Sequence, residues 1–294
     1  MKYIELLRPK HWVKNFFLFI PVFFAGEFLN PDKIQLAVSG ILAFSLVASV
    51  IYVMNDIIDM DADRLHPKKS RRPLASGDVS VSIAIIIALV LLIVGLWIGY
   101  AIKLKFLFIL LIYFFLNVGY SFGLKKVPIL DIFIVAAGFV IRVKAGGIAT
   151  YIPVTAWLNV MIFLLALLLT IAKRRDDVLI KSESGIDLRD STKNYNLEFV
   201  NSLIVMVSGI IIVAYLMYCF SGNFMDTERS YQVYYTSIFV LAGTMRYLQL
   251  VFVKNDTGSP TNILYKDRFI QLTILLWILS FVFIIYIPNV NFFQ

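Results

Sequence analysis

Apolar residues run along this chain in long stretches separated by short polar ones. About 20 residues of α-helix cross the hydrocarbon core of a bilayer. Stretches of that kind occur at 12–29, 34–55, 80–101, 105–121, 129–148, 154–172, 199–220, 231–253 and 268–288. The pattern predicts an all-α polytopic membrane protein, a bundle of nine transmembrane helices. Lys14 and Asn15 stand near the start of the first stretch and no small-residue cleavage site follows, so it is read as a span and not as a removable signal peptide. The two long polar stretches, 56–79 and 173–198, are too short for a core of their own, so residues 1–294 are read as one integral-membrane domain.

Composition agrees with this reading. Hydrophobic residues make up 60% of the chain and charged ones 16%, against about 45–50% and about 25% in soluble domains. A water-soluble enzyme, a disordered chain and a nucleic-acid-binding domain are excluded, although the net charge is +8. The basic residues instead orient the chain, because short cytoplasmic loops collect lysine and arginine. With the N-terminus inside, 20 of the 27 Lys and Arg fall on inner segments and 4 on outer ones, while Arg142, Lys144 and Arg246 lie within spans. The N-terminus is therefore expected in the cytoplasm and the C-terminus outside, in the cell (inner or plasma) membrane. Of the acids, Glu27, Asp32, Asp226 and Glu228 alone are on the outer side. Topology calls for inner cations but not for inner carboxylates, so the inner face is read as a chemical site. One cysteine, Cys219, allows no intrachain disulfide, and His11 and His66 lie too far apart for zinc-ligand spacing. A metal here would be held by oxygen.

The oxygen donors are concentrated after the second span, in NDIIDMDADR from Asn55 to Arg64. If the helix continues, Asp56, Asp59 and Asp63 share one face at about 100° per residue, while Asp61 points away. Like charges so placed call for a cation, and carboxylate and amide oxygens suit magnesium. The alternative is a solvated helix end balanced by the bases that follow. Those bases, Arg64, Lys68, Lys69, Arg71 and Arg72, gather around Pro67 and Pro73. They suit a polyphosphate, or serve as an anionic-lipid patch or topology signal.

The string NDxxDxxxD at the end of a second helix, in a chain of this length and span number, resembles the UbiA superfamily of intramembrane prenyltransferases. RPKHWVKN (8–15), NDIIDMDADRLHPKKSRRPLASG (55–77), YSFGLKK with LDIFIVAAGFVIRVKAGG (120–147), AKRRDD (172–177) and LYKDRFIQ (264–271) together look like its polyprenyl-phosphate 5-phosphoribosyltransferase branch. The resemblance implies transfer of the phosphoribosyl group of 5-phosphoribosyl 1-diphosphate to a polyprenyl phosphate, with release of pyrophosphate. It implies Mg2+ as cofactor, held by Asn55, Asp56, Asp59 and Asp63. Lys14, Asn15, Arg64, Lys69, Arg71, Arg72 and Lys173 are implied contacts to donor or acceptor.

The superfamily's second motif, a DxxxD preceded by lysine, is altered here. Span six ends Lys173, Arg174, Arg175, Asp176, Asp177 with no aspartate four residues further on. Lys173, Asp176 and Asp177 share a helical face, so one carboxylate, taken as Asp177, could still reach the metal or a ribose hydroxyl. A full second acidic motif would favour an aromatic prenyltransferase, the competing enzyme reading. A lipid-phosphate carrier is the third, and the charges gathered at one face instead of the midplane count against it. Arg142 lies 11 residues beyond Asp131, about 16 Å along the fifth span. It is read either as a contact to acceptor phosphate or internal carboxylate, or as structural. Arg246 has no partner that can be named, and Asp267 with Arg268 is either part of the site or a local ion pair.

Overall fold

A computed structural model of the protein describes residues 2–65, 69–184, 190–220, 232–253 and 266–287, and every regular element among them is helical. His66, Lys68, Arg189, Asp226, Glu228, Arg229, Lys254 and the first two residues of the 264–271 match lie outside the described residues. In chain order the elements are α1 (Lys2–Leu7), a 3₁₀ helix (Pro9–Phe19), α2 (Ile20–Phe24), α3 (Pro31–Ile58), α4 (Met60–Arg64), α5 (Val81–Ile102) and α6 (Leu104–Phe122). They continue with α7 (Leu130–Thr150), α8 (Ala156–Ser184), α9 (Leu197–Phe220), α10 (Ser237–Phe252) and α11 (Arg268–Tyr286).

The helices begin where side chains satisfy the first backbone N–H groups. Asn30 accepts from the amides of Asp32 and Lys33 at 3.1 and 3.4 Å ahead of α3, and Pro31 supplies the first helical residue. Thr155, Asn196 and Asp267 cap α8, α9 and α11 through the amides of Leu158, Phe199 and Ile270. Between α5 and α6 stands a single residue, Lys103, in extended conformation.

Among the described residues seven helices are long and apolar enough to cross a membrane: α3, α5, α6, α7, α8, α9 and α11. The protein is a multi-pass membrane protein. The most apolar window, in α5 at mean hydropathy 3.1, is only 11% buried, whereas that of α3, at 2.3, is 61% buried. Helices that face lipid need unbroken apolar surface, and helices inside can carry small and polar residues.

The stretches 12–29 and 231–253 take other forms. The first is an 11-residue 3₁₀ helix followed by the five residues of α2. A 3₁₀ helix repeats every three residues, so Trp12, Asn15 and Leu18 line one edge. All three face α3: Trp12 Nε1 donates to Ser49 Oγ at 3.1 Å, Asn15 Nδ2 donates to Ser45 Oγ at 2.9 Å, and Leu18 packs with Phe44 and Val47. An α-helix would rotate these side chains away from α3 by about 60° at each step. In the second stretch the described helix α10 has 16 residues, and Thr236 stands at a turn before it.

Two units can be distinguished, 1–124 with 141–154, and 125–140 with 155–294. The first has a core of Leu18, Phe44, Val47, Ile51, Phe106 and Leu110. The second is built on Ile171, Val200, Ile204, Val207, Leu250 and Val251. In the first unit a Cβ on Gly146 would fall 2.1 Å from the carbonyl oxygen of Leu18, so backbone meets backbone there. Gly146→Ala is expected to destabilise by about 1–3 kcal/mol or more, because the obstacle is main chain. Gly209→Ala, in α9 with nothing within 4 Å of its added Cβ, is expected to be neutral or slightly stabilising. Thermal unfolding of both variants in the same detergent checks the contrast.

Candidate active site

In the first unit α3 stops at Ile58 and α4 starts at Met60, so the aspartate motif is not one straight helix. Asp59 stands at the break with φ −92° and ψ 6°, and its amide still bonds the Asn55 carbonyl at 2.9 Å. Asp56 and Asp63, seven residues apart, are both buried and converge on a single atom. Arg72 Nη1 donates to Asp56 Oδ1 at 3.1 Å and to Asp63 Oδ2 at 2.5 Å. Arg8 also donates to Asp56 Oδ1, and Lys69 Nζ lies 3.9 Å from Asp63 Oδ1. Two carboxylates and three cations thus form one cluster, with one positive charge in excess.

Arg8 reaches this position from a left-handed backbone, φ 52° and ψ 55°, between α1 and the 3₁₀ helix, and its guanidinium stands 5.2 Å from the Tyr52 ring centroid. In the sequence it counts as an inner cation and as the first residue of the RPKHWVKN stretch, with no role of its own. Its place beside Pro9 was the available signal, but the left-handed turn that aims it is not legible there.

The other residues expected in the first site are distributed around the cluster. Asn55 and Asp59 are half-buried, and Arg71 is exposed on the 3₁₀ turn Lys69–Arg71. Arg64 turns outward to Asp61, 3.1 Å away on the exposed side. Lys14 is exposed, whereas Asn15 is buried and accepts from Arg142 Nε at 2.8 Å. Arg142 Nη2 donates to the Tyr113 hydroxyl at 2.8 Å, and the guanidinium lies 4.7 Å from that ring. The buried guanidinium is therefore fixed by Asn15 and Tyr113, and Ser45 anchors Asn15 in turn.

The donor set of the first cluster fits a hard divalent cation. Asp56 and Asp63 already aim carboxylate oxygens at one cationic atom, and oxygen is the ligand magnesium takes. Among the described residues no three His, Cys, Asp or Glu side chains assemble as a metal-ligating group.

α8 runs unbroken from Ala156 to Ser184, so Lys173, Asp176 and Asp177 keep the spacing of one helical face. Arg174 is buried, with Nε donating to Asp131 Oδ2 at 2.8 Å and Nη1 3.4 Å from Asp177 Oδ2. Ser191 Oγ donates to the same Asp131 oxygen at 3.1 Å. Just before Asp131, Ile129 holds φ 67°, strained for a β-branched residue, and donates its amide to the Tyr195 hydroxyl at 2.7 Å. Burial raises the pKa of Tyr195. Asp176 lies within electrostatic reach of Arg175 and Tyr247. Lys173 is exposed. Arg246 finds its partner in Asp267 at 2.7 Å, so the ion pair of Asp267 is with α10.

The sequence profile of the UbiA prenyltransferase family matches residues 16–273. The chain belongs to this family. The chain is 29% identical to the decaprenyl-phosphate phosphoribosyltransferase of Corynebacterium glutamicum, over 97% of its own length and 86% of the relative's. The enzyme of the same name from Mycolicibacterium smegmatis is 29% identical over 94% and 89%. Among solved structures, a UbiA homologue from Archaeoglobus fulgidus bound to DMAPP and Mg2+ superposes with a TM-score of 0.71 at 24% identity, covering 98% of this chain and 100% of that one. The same homologue bound to GPP and Mg2+ gives 0.70 at 22%, with the same coverage. The fold is that of the UbiA family.

Removing one partner of a buried pair leaves an uncompensated charge, whereas an exposed pair contributes little. Asp131→Asn is therefore expected to cost about 3–5 kcal/mol, because it takes the enclosed counter-charge from Arg174 and leaves Asp177 at 3.4 Å. Asp61→Asn, which breaks the exposed pair with Arg64, is expected to change stability by less than about 1 kcal/mol. Unfolding of the purified variants, followed by circular dichroism, measures both.

Proposed function

We propose that this UbiA-family membrane protein transfers the 5-phosphoribosyl group of 5-phosphoribosyl 1-diphosphate to a polyprenyl phosphate, releasing pyrophosphate. The observation that carries the reading is the cluster in which Arg8, Lys69 and Arg72 share Asp56 and Asp63. It joins hard oxygen donors to an excess of cations, as a donor with two kinds of phosphate requires. The names of the relatives that match over nearly the whole chain support the same reaction.

Asn55, Asp56, Asp59 and Asp63 would hold magnesium. When bound, the ion neutralises the charge that develops on the leaving pyrophosphate. Arg72 moves from the carboxylates to phosphate oxygens when the donor arrives, since a guanidinium fork binds either anion. Arg8 keeps Asp56 ionised and oriented. Lys14, Arg64, Lys69 and Arg71 supply further positive charge to donor or acceptor. Lys173 and Asp177 are proposed contacts to phosphate or a ribose hydroxyl. Asn15 and Arg142 support the site by fixing the 3₁₀ helix against α3 and α7. No general base is needed, because the acceptor phosphate is already an anion, and electrostatic positioning does most of the catalysis.

The reading includes nine membrane passes, those at 12–29 and 231–253 among them. It places the N-terminus in the cytoplasm, the site at the cytoplasmic face of the cell membrane, and one transferase domain over 1–294. The excess of inner lysine and arginine supports this orientation.

Incubation of purified protein with magnesium, labelled 5-phosphoribosyl 1-diphosphate and a polyprenyl phosphate is expected to move label into the lipid phase. Conversion instead of a polyprenyl diphosphate with an aromatic acid would replace the reading by aromatic prenyl transfer. Asp56→Asn and Asp59→Asn are each expected to lower magnesium-dependent turnover by about 100-fold or more while the protein stays monodisperse. Near-normal rates in both would remove the metal assignment. Arg71→Ala is expected to raise the donor KM by about tenfold, the range for a lost charge-assisted hydrogen bond, with little effect on thermal stability.

A further inference from the structure

The first unit gathers positive charge at a second place, at the far end of α3 from Asp56. Lys33 lies in the first turn of that helix and Asp56 in its last, 23 residues on, which is about 34 Å at 1.5 Å per residue. Lys103, the single residue between α5 and α6, comes to the same end. Both lysines reach Tyr151, just past the end of α7. Lys103 Nζ stands 4.0 Å from the ring centroid and Lys33 Nζ 5.8 Å from it, each within the range of a cation–π contact. Lys33 Nζ also donates to the carbonyl of Thr150 at 2.6 Å.

Tyr151 occupies a position that glycine usually fills. Its φ is 59°, and the amide of Ile152 donates back to the Gly147 carbonyl at 2.9 Å, the hydrogen bond that closes a helix over a left-handed residue. A tyrosine is strained there, and its ring is exposed and carries two ammonium groups. Two like charges at one neutral ring call for an anion. Of the acids at this end, Glu27 accepts from Asn30 Nδ2 at 3.0 Å and Asp32 is exposed, and among the described residues neither pairs with a lysine.

The surroundings are those of a bilayer interface. Trp97, Tyr100 and Leu104, on either side of Lys103, are exposed, and they belong to α5 and α6, whose apolar windows are only 11% and 22% buried. Tryptophan and tyrosine at the end of a lipid-facing span sit at headgroup level. Cations are also scarce at this end, which in the expected topology holds only Lys33, Lys103, Lys105 and Arg229 of the 27 Lys and Arg. Two of those four meet at Tyr151.

We propose that Lys33, Lys103 and Tyr151 form a seat for the phosphate of an anionic phospholipid, in the leaflet opposite the aspartate cluster. The two ammonium groups donate to the phosphate oxygens, the Tyr151 ring and the Thr150 carbonyl hold them in place beforehand, and the acyl chains lie along the exposed faces of α5 and α6. Ordering two long side chains is a large part of what binding costs, and here the fold has already ordered them. A net positive seat without an acid of its own favours a headgroup with net negative charge over a zwitterionic one. The inference is independent of the catalytic reading, because it uses none of the residues assigned to transfer.

The test is native mass spectrometry of the full chain in detergent with equal amounts of phosphatidylglycerol and phosphatidylcholine, beside thermal unfolding in each lipid. Phosphatidylglycerol is expected to be retained in preference, and Lys33→Gln and Lys103→Gln each to lower that preference about fivefold, the effect of one basic residue at an anionic surface. Tyr151→Leu, which keeps both charges but removes the ring, is expected to lower it as well, and it keeps the test open if a lysine variant fails to fold. Lys105→Gln, at an exposed position two residues on, is expected to change it by less than about twofold. A purely structural role in closing α7 would lower thermal stability equally in both lipids and leave the preference intact. That result, equal retention of the two lipids in the unmodified protein, or a loss in Lys105→Gln as large as in Lys103→Gln would each overturn the proposal.

Discussion

Charge taken out of water has to be paired, and arginine is the residue that pairs it in this protein. The buried carboxylates of Asp56 and Asp63 meet Arg8 and Arg72, and that of Asp131 meets Arg174. The two N–H groups of Arg72 Nη1 serve two carboxylates at once. Each pair ties segments distant in sequence. Arg8 joins the chain before the 3₁₀ helix to the end of α3, and Arg174 joins the end of α8 to the start of α7.

Those ties act on helices that already approach closely. α3 is the most buried of the apolar helices. Gly95 lets α5 come against it, since an added Cβ would stand 3.0 Å from Val47 and 3.3 Å from the Ala43 carbonyl. In a bilayer the hydrophobic effect does not press helices together, so small residues and internal hydrogen bonds have to. The 3₁₀ helix shows both devices, with Asn15 and Trp12 bonded to serines of α3 and Leu18 lying over Gly40. Asn15 also receives Arg142, so the same polar group locks two neighbours.

An acid cluster held by more cations than it needs is suited to exchange partners. On the proposed reading the excess charge around Asp56 and Asp63 draws in the diphosphate, and the guanidiniums then stand beside both metal ligands and phosphate. The pair Asp131–Arg174 is more fully enclosed and belongs to the framework. Its neighbour Asp177 has the more accessible carboxylate of the two acids joined to Arg174.

The sequence by itself determined the seven long helices of the structure, because unbroken apolar length is a local property that a bilayer reads directly. It also determined the family, through motifs spread along the chain, and the gathering of acids and bases at 55–72. Tertiary structure decided the rest. Residues 9–19 became a 3₁₀ helix because Trp12, Asn15 and Leu18 found partners on α3 at a three-residue repeat, which apolar content does not encode. The break at Asp59 divided the aspartate motif between two helices, and Arg72 drew Asp56 and Asp63 together across it. Arg142, Arg174 and Arg246 acquired Asn15, Asp131 and Asp267 as partners 127, 43 and 21 positions away. A buried charge takes whatever counter-group the packed helices bring within about 3 Å, and that distance is set by the fold and not by position along the chain.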